Sequence, residues 1–365
     1  MKVAYFNPVP YLGQAPRGAW PVPADGYQAE VAMRSMEEGL EFYQLADEVG
    51  FDWVTVAEHH YAPMGLTPNP MVMAGALTQR VRRARIALLG PNLPILNPVR
   101  VAEELAMLDT LTGGRVVAGM MRGTSNEYVT YNVNPAESRE RFQEALQLIV
   151  RAWTEPRPFG WQGRHYEFRT ISIWPRPVQR PHPPMFMSAS SPEAGDFAAR
   201  NRISAGFAFT TVPLASKAVA HYRAQAAEHC WEPTAENVLY RTHAHVAETD
   251  EQALQELEDA GAVGPPRAYS TSNVNVDEAA AIAGFYGRDL AAQRARLQGH
   301  PLQERVELGQ LLVGSPETVF EQACRIHGAL GNGILEVGFQ PLARDKVRRS
   351  MELFGGRVLP RLREL

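Results

Sequence analysis

Residues 51–61 read FDWVTVAEHHY, an apolar run that ends on an acid, two histidines and a tyrosine. Gly50 closes the segment before it, and aromatic and β-branched side chains fill it, the pattern of a strand covered on both faces. Such strands belong to parallel sheets wrapped in helices, so the neighbouring segments decide the fold. Further strand candidates lie at 2–7, 85–89, 115–120, 184–188, 205–209, 238–246 and 334–338. Amphipathic segments separate them and carry helix punctuation: Ser35-Met36-Glu37-Glu38 reads as a capping box, and Asn69-Pro70, Asn97-Pro98 and Ser315-Pro316 read as a cap followed by proline. Gly50 and Thr112-Gly113-Gly114 read as helix stops.

Eight strands alternating with helices predict an α/β chain folded as a single (β/α)8 TIM barrel with insertions. A doubly wound sheet is the other architecture with this alternation. Its GxGxxG turn after the first strand is absent, since the glycines at 113, 114, 119 and 123 have the wrong spacing and position. Two segments interrupt the alternation: residues 155–183, rich in proline and tryptophan, and residues 261–308, which read as a lid.

The 36 basic and 40 acidic residues are interspersed, with a net charge of −4, which gives no electrostatic footprint for nucleic acid. No apolar run approaches the roughly 20 residues that span a bilayer, and the start MKVAYFNPVP is unlike a secretory leader, so a cytoplasmic protein is expected. Cys230 and Cys324 have no CxxC partner and read as free thiols. The three lysines, Lys2, Lys217 and Lys346, all lie away from strand C-termini, which argues against Schiff-base chemistry.

Chemistry in such a barrel sits at the C-terminal ends of the strands, and AEHHY occupies that end of the second. Spacing leaves His59 and His60 divided between packing and catalysis, with a metal site a minor reading because consecutive strand residues face opposite ways. Arg241, His243 and His245 share one face of the seventh strand candidate and read as polar lining of the barrel, as structural hydrogen bonding, or as an HxH metal pair. Ser190 and Ser191 precede a helix whose N-terminus suits a phosphate, against the blander reading of an ordinary cap, and Arg122 could supply a cation.

With AEHHY at 57–61, NPMVMAGAL at 69–77, NPVRVAEELAMLDTLTGGRVVAGMMRG at 97–123, SRERFQEAL at 138–146, VGSPETV at 313–319 and SMELFGGRVLPRL at 350–362, the chain resembles the bacterial luciferase-like flavin monooxygenases over nearly its whole length. Residues 261–308 match least. The resemblance implies a barrel that binds reduced FMN, or in one branch F420, and oxygenates a small organic substrate through a C4a-(hydro)peroxyflavin. It implies a partner reductase that supplies the reduced flavin, and a homodimer. By position it implies His59 as the catalytic histidine and Glu58 as a flavin-contacting acid. Arg122, Ser190 and Ser191 fall on the flavin phosphate region, Arg139 on a second basic flavin-site position, Phe209 on the ring, and Leu89-Gly90 on a non-proline cis peptide beneath it. The acid that partners the family's histidine falls on Tyr128, which leaves the proton partner of His59 open, and its reactive cysteine falls on Met121. Arg241 and His243 are similar to the sulfonate-handling pair of the more distant alkanesulfonate monooxygenases and are expected, with Tyr128, to meet substrate. The resemblance leaves the organic substrate open among an aldehyde, a ketone and a secondary metabolite, and a non-catalytic flavoprotein or an F420-dependent oxidoreductase are the alternatives.

Overall fold

In the computed structural model, which describes residues 1–15, 20–208, 210–262 and 300–365, the FDWVTVA segment forms β2 (Trp53–Val56) between two parallel neighbours. These are β1 (Lys2–Phe6) and β3 (Arg85–Leu88). The ring continues through β4 (Val116–Gly119), β7 (Met185–Ser188), β8 (Ser204–Phe207), β9 (Val238–Val246) and β11 (Ile334–Phe339), and closes where β11 pairs with β1. All pairings in the ring are parallel, as the sequence reading expected.

Three strands lie outside the eight. The antiparallel hairpin β5 (Phe159–Gln162) and β6 (Glu167–Ile171) occupies the 155–183 insertion. Its turn is clamped by Glu144, whose carboxylate accepts from the backbone N–H groups of Arg164, His165 and Tyr166. Strand β10 (Leu311–Gly314) pairs with the upper half of β9 while β8 pairs with the lower half, so the nine-residue β9 serves two neighbours in succession. An apolar LLVG run of four residues carried too little pattern to separate a strand from the cap of the next helix.

The helices confirm most of the punctuation. The Asn69 side chain accepts from the N–H groups of Met71 and Val72 at the start of α2 (Pro70–Arg80). Asn97 does the same for Val99 and Arg100 in α3 (Pro98–Thr112), which Gly113 ends in the left-handed conformation. The capping box at Ser35 is a misreading. Helix α1 (Ala29–Val49) begins six residues earlier, and the buried Ser35 hydroxyl donates to the Val31 carbonyl one turn back while accepting from the Leu12 N–H. A serine that bonds within its own helix satisfies itself without capping anything.

Alternation along the strands sorts their side chains into two cores. Outward residues such as Val3, Val54, Ile86, Val116 and Phe207 pack under the helices. Ala4, Trp53, Ala87, Leu89, Val117, Phe186, Leu239 and Ile334 fill the barrel itself, with Trp53 edge-on to Phe186 at 5.4 Å between ring centroids. Two residues further along the same inward rows come Phe6, Arg241 and Glu336, then Gly338 and His243, so the interior turns from apolar to charged as it approaches the mouth.

Asp47, at the end of α1, is 5% exposed and accepts from three consecutive backbone N–H groups, those of Arg82, Arg83 and Ala84, at 3.0, 3.0 and 2.6 Å. It fixes the entry into β3. Asp47→Ala leaves all three donors without that acceptor, and we expect a loss of about 3 kcal/mol or more in unfolding free energy, with Asp47→Asn less affected. Urea unfolding checks this, and an unchanged midpoint in the alanine variant contradicts it.

Candidate active site

Beyond β2 the chain leaves the sheet as Ala57-Glu58-His59-His60-Tyr61, and each residue has a different fate. Glu58 is 4% exposed, and both of its oxygens are engaged: Oε1 lies 3.0 Å from His60 Nε2, and Oε2 accepts from the Asn92 N–H at 3.1 Å. Its carboxylate thus ties His60 and the start of the Asn92 segment together. His60, 6% exposed, packs edge-on against Tyr131 at 5.1 Å and accepts at its carbonyl from Trp20 Nε1. It supports the mouth.

Asn92 carries the linkage onward. It forms a bridge with Met121 that extends the β3–β4 pairing beyond both strands, and its side chain lies 3.1 Å from where a Cβ on Gly123 would stand. Gly123 has φ +87°, so the chain turns there, as glycine permits, and enters α4 (Ser125–Thr130) through a capping box, Thr124-Ser125-Asn126-Glu127. Glu127 Oε2 accepts from the Thr124 N–H at 2.8 Å and from its hydroxyl.

That cap leaves Oε1 facing His59. The distance from His59 Nδ1 to Glu127 Oε1 is 3.5 Å, just beyond a good hydrogen bond, with Nδ1 buried and no other partner on it. Burial by itself raises the Glu127 carboxyl, but the His59 imidazole and Thr124 outweigh it and hold the acid below its ordinary value. His59 therefore has an acid. The acid lies one residue along from the expected position: Tyr128 is 1% exposed, donates its hydroxyl to the Arg122 carbonyl and packs with Ile95 and Val133. Neighbours on a helix diverge, and only the third helical residue of the box turns back toward the cap. The T-x-x-E pattern at 124–127 is the signal that could have located Glu127.

Across the barrel, Arg241 pairs with the fully buried Glu336 and lays its guanidinium 3.8 Å from the centre of the Phe6 ring. Arg241 is 8% exposed, with its guanidinium engaged by protein groups at this level of the barrel. Glu336 escaped the sequence reading, although a lone acid inside the run ILEVGF marks an inward charge. His243 lies above the pair, 3.3 Å from the Cβ position of Gly338. Burial, with the charges of Arg305 and Arg241, pushes its imidazole down to about 4, so it is neutral at pH 7. His245 joins neither and is held by Glu256 at 2.9 Å, and no cluster of metal-ligating side chains occurs among the described residues.

The sequence profile of luciferase-like monooxygenases matches residues 19–333. The chain belongs to that family. It is 26% identical over 346 residues to 4-hydroxyprotoasukamycin monooxygenase of Streptomyces nodosus subsp. asukaensis, covering 90% of this chain and 87% of that one. The flavin-dependent trigonelline monooxygenase, oxygenase component, of Acinetobacter baylyi is 26% identical over 226 residues, 60% of this chain and 61% of that one. The crystal structure of monooxygenase RslO1 from Streptomyces bottropensis superposes with a TM-score of 0.76 at 27% identity, with 99% of each chain covered. Several matches are partial: the chain spans about half to three-fifths of the length of some curated relatives, 49% and 61% in two cases. F420-dependent enzymes are among the relatives too.

Of the remaining family positions, Ser191 is the N-cap of α6 (Pro192–Arg200) and accepts from the Ala194 N–H at 3.3 Å. Glu193, in the first turn, is held low by its own backbone N–H and Ser191 against burial, and by the charges of Arg139 and Arg122. The charges of Arg139 and Arg122 thus reach the first turn of α6, directly after Ser190 and Ser191. Leu89 faces into the barrel. The Leu89-Gly90 bond is not among the cis peptides of the described residues, which all precede proline, so that expectation is corrected. The crowding there is of another kind: an added Cβ on Gly90 would lie 1.8 Å from the Leu88 carbonyl oxygen. Phe209 and most of the expected lid, residues 263–299, lie outside the described residues.

A histidine with a folded value near 4 and an ordinary value of 6.5 favours the folded state above pH 6.5, and that contribution is lost as the pH falls from 6.5 to about 4. Unfolding free energy should fall in that window with a His243 component of up to about 1.4 kcal/mol per pH unit. His243→Gln should flatten the slope. Identical slopes for the two proteins contradict the assignment.

Proposed function

We propose that the protein is the oxygenase component of a two-component flavin monooxygenase. It takes reduced FMN from a separate NAD(P)H:flavin reductase and uses O2 to oxygenate a small organic aldehyde, ketone or secondary metabolite. The observation that carries this reading is His59 at the mouth, with Nδ1 set against the buried Glu127 carboxylate. Reduced flavin, when bound, supplies the electrons that activate O2.

The chain's own residues do the rest. Arg122, Arg139, Ser190 and Ser191 would hold the phosphate, and Leu89 and Gly90, at the end of β3, would lie beneath the ring. Glu127 fixes the tautomer of His59 by facing Nδ1, and stabilises the ring when Nε2 carries a proton, the arrangement of a general acid–base pair. At 3.5 Å the two groups need only a small shift to form a full hydrogen bond. His243, kept neutral chiefly by burial, would be available to a substrate oxygen. Val72 on α2 and Met107 and Leu111 on α3 are 71%, 50% and 57% exposed, which supports pairing of two copies through those helices.

Anaerobic titration with FMNH2 and F420H2, followed by mixing with oxygen, tests the cofactor: tight FMNH2 binding is expected, and preference for F420H2 overturns the reading in favour of an F420-dependent oxidoreductase. His59→Ala should lower coupled turnover by about 10²–10⁴-fold. Glu127→Gln should lower it less and alter the pH profile, while both retain FMNH2 affinity. Full coupled turnover in His59→Ala would remove the histidine from the mechanism.

A further inference from the structure

A cavity of about 850 Å³ opens beside His59, between the β1–α1 loop, the start of α1 and the segment after AEHHY. Its walls include Tyr11, Val22, Tyr27, Met33, Met36 and Leu66, with His59 on one side. We propose that it holds the body of the organic substrate, and that this body is a neutral aromatic or multi-ring system. The proposal deepens the oxygenase reading and rests on it.

The architecture of the pocket and its lining carry it. The pocket is built, because its two loops are joined by backbone hydrogen bonds from Tyr11 to Pro63 at 2.7 Å, from Leu66 to Val9 at 2.9 Å and from Val22 to Tyr61 at 3.0 Å. Trp20 Nε1 adds a bond to the His60 carbonyl and its ring packs on Tyr61, so the wall is tied directly to the motif that carries His59. Tyr61 has φ +57°, uncommon for a bulky residue, and such strain persists where surrounding bonds impose it.

The lining chooses the ligand. Tyr27 stacks on Tyr11 at 5.9 Å between centroids, which makes a flat aromatic wall, while Met33 and Met36 offer adaptable thioethers. Tyr27 and Met33 are 58% and 71% exposed, large apolar surfaces with a concave neighbour instead of a covering element. Among the described lining residues there is no lysine or arginine, and the one carboxylate, Glu37, is paired with Arg80 at 2.8 Å. Among the described lining residues an anion therefore finds no arginine or lysine to pair with, only the imidazoles of His59 and His60. The volume falls in the range of about 300–1,000 Å³ typical of small-molecule sites.

The test uses the full chain and 2-acetylnaphthalene as the probe, with binding measured by calorimetry without flavin and again with FMN present. The neutral ketone should bind, and 2-naphthoate, with the same rings and a negative charge, at least tenfold more weakly. Tyr27→Ala and Met33→Glu should each weaken the ketone at least tenfold while FMNH2 affinity stays within twofold. Equal binding of ketone and carboxylate, or ketone binding indifferent to both substitutions, overturns the proposal. Tighter binding of decan-2-one than of the aromatic ketone overturns the ring preference. If FMNH2 fails to bind while the ketone binds as described, the oxygenase reading falls and the pocket stands.

Discussion

A buried carboxylate organises the mouth of this barrel. Glu58 has almost no access to water, and a charge in that position is tolerable only if both oxygens are bonded. One oxygen holds His60, the other the backbone of Asn92. Asn92 carries the register to Met121, Gly123 packs against its side chain, and the turn there delivers Thr124 and Glu127. Glu127 then faces His59, one residue from where the path began. The requirement to satisfy one buried acid thereby positions a second acid against the histidine.

The same economy governs the opposite side. Arg241 and Glu336 neutralise each other beneath the mouth, and Phe6 covers the guanidinium. Burial, with the charges of Arg305 and Arg241 added, keeps His243 neutral, whereas His59 sits beside an anion. Two histidines of one site are placed in opposite electrostatic settings, the condition under which one handles protons and the other offers a neutral hydrogen bond.

Much of the barrel was legible in the sequence because its strands are buried on both faces and its helices begin and end with strong punctuation. All eight ring strands were readable, as were the caps at Asn69, Asn97 and Ser191. Ser35 misled because serine, methionine and two glutamates satisfy a local pattern wherever they fall, while the real helix start at Gln28 is held by a distant group, the Tyr11 hydroxyl. Strand β10 was hidden because its pairing partner, the upper half of β9, is supplied by a long-range contact.

The candidate site divides along the same line. By itself the sequence determined which residue types stand at the strand ends, His59, Arg122, Ser191 and His243 among them, because position at a parallel strand's C-terminus follows from local pattern. Only the tertiary structure decided what each one touches: that Glu58 is spent on His60 and Asn92, that Glu127 and not Tyr128 faces His59, and that Arg241 belongs to Glu336. Those pairings join residues up to 95 positions apart, and their geometry depends on barrel closure and on the burial of charge, neither of which is encoded in any short stretch.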